Sequence, residues 1–417
     1  MRNMKSSISR GIVLTLLVSS HFVCQSQSVS NSAYNVFGIG TLDQQGLVAY
    51  EAMAYAGIGS RTADLVNLKN PAALNAIQGF TQQFDVGISY SGLSQQSNEA
   101  SSSSTFGGLH DLNYWFRVSP RTALTLGVAK LSDTNYDILD SQSGGNALGR
   151  SDSRYLGEGG SSQFYVAGGY SLTPNLHLGL RSNVVFGSFT SDELVSIFDP
   201  GASLEIKTER GFVSANFEAG LQYQFLLSEN AKMVIGGTYK TGRNAAMNEE
   251  VVIISDSGNQ VDSLSSSEAS EIYLPRRVGL GLGFESKSLM FNMDYEFENW
   301  GANDNPVSFQ YKDRFIASFG AQYIRDRFSP NLLNRVAFRL GGGVHSNYIE
   351  LDNREFLSQY YSLGLGVPLS RGAAAINLTY QFYSTGTLSS DLIKENANTI
   401  SVSVSIKDFW FRKRAFD

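Results

Sequence analysis

The sequence predicts an all-β fold, a transmembrane antiparallel β-barrel of about 14 strands with an N-terminal plug (hatch) segment. Three observations predict it. From about residue 84 onward, apolar or aromatic residues alternate with small or polar ones. Beyond the first 25 or so residues there is no run of 18 or more apolar residues, so strands would have to cross any membrane. The connections between alternating segments are short and long in turn.

Alternation with a period of two marks each predicted strand, because successive side chains of a strand point to opposite faces. Val213, Phe217 and Leu221, for example, fall on one face of one segment. Fourteen segments show the pattern, an even number. They lie at residues 84–90, 112–118, 124–130, 164–170, 176–186, 213–225, 233–239, 278–284, 289–297, 315–323, 336–344, 361–367, 374–382 and 400–406.

The second face of these segments is polar or charged, whereas the apolar face is continuous in every segment. A soluble β-sandwich also alternates, but a barrel explains both faces, with lipid outside and a wet or plugged lumen inside. We therefore expect the following residues to face the lumen: His177, Arg181, Asn183, Glu218, Gln222, Asp294, Glu296 and Arg339.

The connections set the expected orientation. Those at 119–121 and 285–288 are short, whereas 131–163, 187–212 and 240–277 are long and rich in Ser, Asn, Asp and Gly. Outer-membrane barrels have short periplasmic turns and longer extracellular loops. We expect the long connections to be hydrated loops and both chain termini to lie in the periplasm.

The amino-acid composition limits the classes of protein to which the chain can belong. The chain has 41 Gly, 20 Tyr and 26 Phe but only 8 Pro, a β-rich profile. A formal net charge of −6 without a concentrated basic face argues against nucleic-acid binding, which requires cations to neutralise phosphates. Tyrosines near strand ends, such as Tyr90 and Tyr380, suit an aromatic girdle against outer-membrane lipid.

Residues 1–26 form a separate unit. Three basic residues precede the apolar run 11–18, which is too short to cross a bilayer and predicts a secretory signal peptide cleaved after Ser26. A lipoprotein acylated at Cys24 is the alternative, but the residue before it is bulky. Cys24 is the only cysteine, so cleavage leaves no disulfide, thiolate metal site or cysteine nucleophile.

Residues 27–79 do not alternate, and they precede the predicted barrel at 80–417. A segment of this length is of the right size to fold into the lumen as a plug. Its small residues permit close backbone packing, and its proline would fix a turn before the first strand. The residues that we expect to shape the plug are Gly57, Gly59, Asn70, Pro71 and Ala72.

The chain resembles the FadL/TodX-type outer-membrane transport proteins in four features. They are the Gly-rich stretch 56–59, the Asn70-Pro71-Ala72 element after it, the strand count, and the closing strand 399–406 with Phe409-Trp410-Phe411 beyond it. The resemblance implies a plugged barrel that carries hydrophobic compounds, such as long-chain fatty acids or aromatic hydrocarbons, and releases them laterally through a gap in the wall. Other proteins of similar fold serve secretion or assembly machinery. The charges expected on the inner wall exceed what an apolar conduit needs, and we expect them to hold the plug by paired hydrogen bonds.

No constellation predicts catalysis or a cofactor. The histidines at 21, 110, 177 and 345 lack metal-ligand spacing. A Ser–His hydrolase acting on lipid would need both groups on the lipid side, whereas His177 faces inward by parity. The segment 254–268 has oxygen ligands that suit Ca²⁺ but completes no binding pattern, so a solvated loop is favoured. We expect no enzyme activity, no cofactor and no metal.

Two functions remain open. The first is passive uptake of small hydrophobic molecules past the plug, in the cell outer membrane. The alternative is a noncatalytic barrel subunit of an outer-membrane secretion or assembly complex, with other outer-membrane proteins as partners. An apolar pocket between plug and strands would favour uptake, and a lumen sealed by charge pairs would favour the complex subunit.

Overall fold

The computed structural model describes residues 32–79, 81–143, 150–197, 202–255, 260–303, 309–351, 354, 356–369, 372–388 and 392–409. The predicted signal peptide, the lipoprotein alternative at Cys24, and the closing residues Trp410 and Phe411 lie outside them.

Within the described residues, fourteen antiparallel strands form a closed barrel, as the sequence predicts. Each strand pairs with its neighbours in chain order, and the first strand pairs with the last over sixteen residue pairs, from Thr81↔Phe409 to Gln96↔Lys394. The strands are β1 (Thr81–Gln96), β2 (Ser101–Ser119), β3 (Thr122–Asp133), β4 (Arg150–Ser171), β5 (Leu176–Ile197), β6 (Ala202–Ser228), β7 (Ala231–Lys240), β8 (Arg277–Ser286), β9 (Leu289–Glu298), β10 (Arg314–Ile324), β11 (Ala337–Ser346), β12 (Leu357–Leu369), β13 (Ala374–Thr385) and β14 (Lys394–Phe409).

Strand β9 illustrates the two faces of the wall. Asn292 and Asp294 are buried, whereas Phe291, Met293 and Tyr295 between and beside them are exposed. In a soluble protein the apolar side chains are buried and the polar ones are exposed. Around this barrel the arrangement is reversed, and most of the large exposed side chains are apolar. Such a wall suits hydrocarbon outside and polar contacts inside.

The short connections are confirmed, but the expectation that the long connections are loops is wrong, because most of their described residues form paired strands. Residues 151–171 and 177–197 pair continuously, so β4 and β5 extend as one long hairpin. Further strands are Tyr136–Ser143, which pairs with β4, and Arg243–Ser255 and Gln260–Leu274, which pair with each other. Composition indicated loops because the side chains are polar, whereas backbone pairing between strands does not require apolar side chains. The candidate Ca²⁺ segment 254–268 belongs largely to the last hairpin; its residues 256–259 lie outside the described part of the chain.

Residues 32–79, hereafter the N-terminal segment, lie against the inner face of the barrel. Short elements organise the segment and the remaining connections: 3₁₀ turns Ala33–Val36, Pro71–Ala73 and Trp300–Ala302, helices Val48–Glu51 and Leu332–Arg335, and two-residue strands Thr41–Leu42, Gln310–Tyr311 and Ile349–Glu350. No helix among the described residues is long and apolar enough to span a membrane.

The N-terminal segment reaches all fourteen strands, by hydrogen bonds or by close backbone approach. Its apolar residues, such as Leu47, Val66 and Leu74, pack with Trp115 and Tyr165 of the wall. The wall residues that it meets include Gly87, Trp115, Lys130, Gln163, Arg181, Gln222, Lys232, Glu285, Asp294, Gly320, Gly341, Ser362, Thr379 and Ser401, one from each strand.

The wall has a gap between β2 and β3. Pairing of these strands ends at Asp111↔Ala129, although β2 runs on to Ser101 and β3 to Asp133. The free edge of β3 pairs instead with the strand Thr41–Leu42 of the N-terminal segment. We call the unpaired stretch of wall between residues 101–110 and 130–133 the wall gap; on its β3 side it is bordered by residues 41–45 of the N-terminal segment.

Candidate functional site

Strand β9 holds the N-terminal segment by two buried carboxylates. Asp294 Oδ2 accepts hydrogen bonds from the backbone N–H groups of Gly57 (2.6 Å) and Ile58 (2.8 Å). Two residues further along the same face, Glu296 forms an ion pair with Lys69 Nζ, and both side chains are at most 5% exposed. The period of two thus directs both carboxylates at the segment.

The ion pair continues into a charge network on the wall. Arg277 on β8 lies 3.4 Å from Glu296 and 3.5 Å from Glu218 on β6. Arg277 also approaches Glu298 to 4.0 Å, and Glu298 lies 3.4 Å from Arg314. Buried charges are costly unless paired, and here each of them has a partner of opposite sign.

Asn70 anchors the turn that follows the ion pair. Its side-chain oxygen accepts from the Ala72 N–H (3.0 Å) and caps the 3₁₀ turn Pro71–Ala73. Its amide donates to the carbonyls of Ile58 (3.0 Å) and Leu221 (3.1 Å), so it links two parts of the segment with β6. Asn70, Pro71 and Ala72 are fully or nearly fully buried.

Gly59 lies where the segment approaches β8 most closely. A Cβ atom on Gly59 would come within 2.5 Å of backbone atoms of Leu282 and Gly283, and one on Gly281 would come within 2.6 Å of the Gly59 nitrogen. Glycine is therefore required on both sides of this contact. A Cβ on Gly57 would meet the Tyr50 ring at 2.9 Å.

The other two charged residues expected in the lumen are also buried, with different partners. Arg181 donates to the Leu68 carbonyl of the N-terminal segment (3.2 Å) and lies 4.1 Å from the centre of the Tyr165 ring. Arg339 donates to Gln322 and Asn377, both at 2.8 Å, so it joins wall strands to each other.

A cavity of about 700 Å³ lies between the segment and the wall gap. Leu42, Tyr55, Phe106 and Leu109 contribute apolar or aromatic surface to it. His110 adds a polar cluster: its Nδ1 is 2.7 Å from Asp111, and its Nε2 is 3.2 Å from the Tyr55 hydroxyl and 3.6 Å from Glu51. Burial raises the pKa of the Glu51 carboxyl above its usual value.

Sequence reasoning missed Lys69, Arg61 and Asn67, the polar residues with which the segment binds itself and the wall. Asn67, for instance, donates to the carbonyls of Gly57 (2.7 Å) and Ser60 (2.8 Å). The sequence signal for these contacts was the presence of charged and amide residues in a segment that is otherwise rich in small apolar residues. Among the described residues, no group of three His, Cys, Asp or Glu side chains is arranged to hold a metal ion.

The comparisons place this architecture among known proteins. A protein-family model described as BamG matches residues 8–417. No curated protein matches the sequence.

Solved structures share the fold over most of the chain. A FadL homologue of Pseudomonas aeruginosa is 12% identical with a TM-score of 0.61, over 89% of this chain and 100% of its own. The toluene transporter TodX of Pseudomonas putida is 15% identical with a TM-score of 0.57, over 90% and 100%. The CymD monoaromatic hydrocarbon channel is 16% identical with a TM-score of 0.56, over 91% and 100%. The resemblance to FadL/TodX-type proteins is therefore confirmed at the level of fold.

Proposed function

This chain belongs to the BamG family, and we propose that it is an outer-membrane barrel that passes small, largely hydrophobic molecules through the wall gap while the N-terminal segment stays in the lumen as a plug. The last strand then ends on the periplasmic side, with the short turns. The described part of the N-terminal segment begins at the other end of the barrel, where Ser32 donates to Glu395 of β14, so the expectation that the N-terminus also lies with the short turns is not supported.

The wall gap is the observation that carries the proposal. The gap begins where the pairing of β2 and β3 ends, at Asp111↔Ala129. Two residues further along β2, Leu109 pairs with Ile88 of β1. Ile88 and Leu109 are 59% and 51% exposed on the outer wall, so the gap opens at the level of apolar, lipid-facing side chains. A molecule in the adjoining cavity has a route to lipid that does not require the plug to leave.

The cavity lining favours a molecule with an apolar body and a polar group. Phe106 and Leu109 offer apolar contact, whereas His110 and Glu51 offer hydrogen-bonding groups. Solved channels of the same fold are described as carrying toluene or monoaromatic hydrocarbons, which supports a hydrophobic cargo.

Filling the mouth of the gap tests the route. Gly108 lines the cavity, and a Cβ there would meet no atom within 4 Å, so the backbone tolerates a side chain at this position and Gly108→Trp places a bulky group at the cavity. The matched control is Gly92→Trp on β1, where a Cβ also has open space and which does not line the cavity. We expect Gly108→Trp, and not Gly92→Trp, to reduce uptake of radiolabelled oleate and toluene by cells about tenfold. Equal uptake by both variants would contradict the proposed route.

The second candidate function is a noncatalytic barrel subunit of an outer-membrane assembly complex. The BamG family match favours it, as does the attachment of the plug through buried ion pairs such as Lys69–Glu296. Native mass spectrometry of the protein gently extracted from its own membrane separates the candidates. Constant stoichiometric protein partners with an empty cavity would support the subunit, and a retained fatty acid or hydrocarbon would support uptake.

A further inference from the structure

A second cavity, of about 470 Å³, lies at the short-turn end of the barrel, well away from the wall gap. It is bounded by the N-terminal segment, the turns after β2 and β4, and the ends of β6 and β7. Its described lining contains Arg61, Arg117, Arg121 and Lys232 and no carboxylate. We call it the basic cavity; its sign is opposite to the net charge of −6 of the whole chain.

The two innermost cations are held in place without being neutralised. Arg61 donates to the Ala72 carbonyl (2.9 Å) and the Asn75 side chain (2.7 Å), and Arg117 donates to the carbonyls of Ile77 and Ser119. Within the described residues, neither guanidinium has a carboxylate within 4 Å. Burial and the nearby Arg117 lower the pKa of Arg61 to about 10, so Arg61 remains charged at neutral pH.

His177 supplies an independent observation. It lines the basic cavity and is only 3% exposed. Its Nδ1 lies 2.9 Å from the Ser171 hydroxyl, and its Nε2 is buried without a hydrogen bond of ordinary geometry to a described residue, although the ring also interacts with the Pro174 carbonyl. The Asn75 amide donates to the Ser171 oxygen, so the Ser171 hydroxyl donates to Nδ1 and the ring proton lies on Nε2. A buried donor without a good partner is costly, and a bound acceptor would offset that cost.

Lys232 and Arg121 complete the cavity at its rim. Lys232 donates to the Arg61 carbonyl (2.6 Å) and lies 3.1 Å from Glu285, which offsets only one of the four charges. The Arg121 side chain is exposed at the opening. Cations on several sides of one open volume suit an anion with several acceptor oxygens.

We propose that the basic cavity binds a phosphate group, presented either by an anionic phospholipid headgroup or by a soluble phosphate. Leu226 pairs with Lys232 and so lies on the cavity side of the wall; it is 71% exposed at the opening and follows Phe225 of the outer face, so an acyl chain has apolar surface beside the opening. This site is independent of the proposed uptake route, because the two cavities share no lining residue.

The test uses the full chain in a neutral detergent and three probes: inorganic phosphate, short-chain phosphatidylglycerol, and short-chain diacylglycerol as a probe with chains but no phosphate. Binding is followed by isothermal titration calorimetry and native mass spectrometry. We expect saturable binding of phosphatidylglycerol or inorganic phosphate and none of diacylglycerol. If only phosphatidylglycerol binds, the phosphate group that the cavity recognises belongs to a lipid headgroup. If inorganic phosphate binds with comparable affinity, the ligand is a soluble phosphate.

Matched variants localise the binding. Arg121→Gln removes a rim charge whose side chain is exposed, and the double variant with Lys232→Gln removes two. Controls are Arg325→Gln and Lys287→Gln, exposed cations of other turns at the same end of the barrel that do not line the cavity. Loss of one charge-assisted hydrogen bond predicts about tenfold weaker binding.

Barrel integrity in each variant is checked by heat-modifiable gel mobility, and the single Arg121→Gln variant suffices if the double variant does not fold. The proposal would be overturned if neither phosphatidylglycerol nor inorganic phosphate bound saturably. The same affinity in the cavity variants and in the control variants would also overturn it.

Discussion

At the scale of single residues, the interior of this barrel is organised by charge. Lys69, Glu296 and Arg277 form a continuous buried series that joins the N-terminal segment to β9 and β8. The cost of burying each charge is offset only while its partner is present. Residues that would look misplaced in an apolar conduit therefore have a structural role here.

Glu296→Gln is expected to destabilise the protein strongly, because it leaves Lys69 without its buried partner and removes one carboxylate from Arg277. The expected loss is about 3–5 kcal/mol in the free energy of unfolding. The measurement is denaturant unfolding in detergent followed by circular dichroism.

The matched control is Asp137→Asn, which breaks the exposed 2.8 Å pair between Asp137 and Arg154. Exposed pairs contribute about 0–1 kcal/mol, so we expect little change. Similar losses for Glu296→Gln and Asp137→Asn would show that the buried pair does not hold the structure together.

Alternation predicted which of these residues face inward, because parity along a strand is set by local geometry. It did not predict their partners. That Asp294 binds the backbone of Gly57 and Ile58, or that His110 meets Glu51, depends on how a non-repetitive segment folds across the lumen. Sequence patterns carry no signal for such long-range contacts.

At the scale of elements, β8 is built to receive the N-terminal segment. Glycines at 279, 281 and 283 alternate with outward apolar residues along this strand, so its inner face has no side chains where the segment approaches. Regular strands of this kind were predictable within a few residues. The long hairpins were not, because their polar composition resembles that of loops.

Gly281→Ala is expected to displace the N-terminal segment from β8, since its Cβ would come within 2.6 Å of the Gly59 nitrogen. The buried Arg61 and Lys69 should then become accessible to trypsin. The control is Gly237→Ala on β7, whose Cβ would meet nothing closer than 3.9 Å. Limited proteolysis should cleave the segment only in Gly281→Ala, and equal resistance of both variants would contradict this account of the contact.

At the scale of the whole molecule, an apolar outer wall surrounds a polar inner face, and the chain's own N-terminal segment packs against that inner face. The strand number and the inversion of polarity were readable from alternation and from the lack of long apolar runs. The wall gap was not derivable from the residues, because it arises where two strands of different length stop pairing and the strand Thr41–Leu42 takes the free edge.

The central claim is that the N-terminal segment closes the lumen while all fourteen strands remain paired around it. The most direct test is ion conductance of the full chain in planar bilayers, with a variant lacking residues 32–79 as the open reference. We predict that the full chain conducts no more than background and that the deletion variant conducts as an open pore. Steady conductance of the full chain at the level of the deletion variant would contradict the claim.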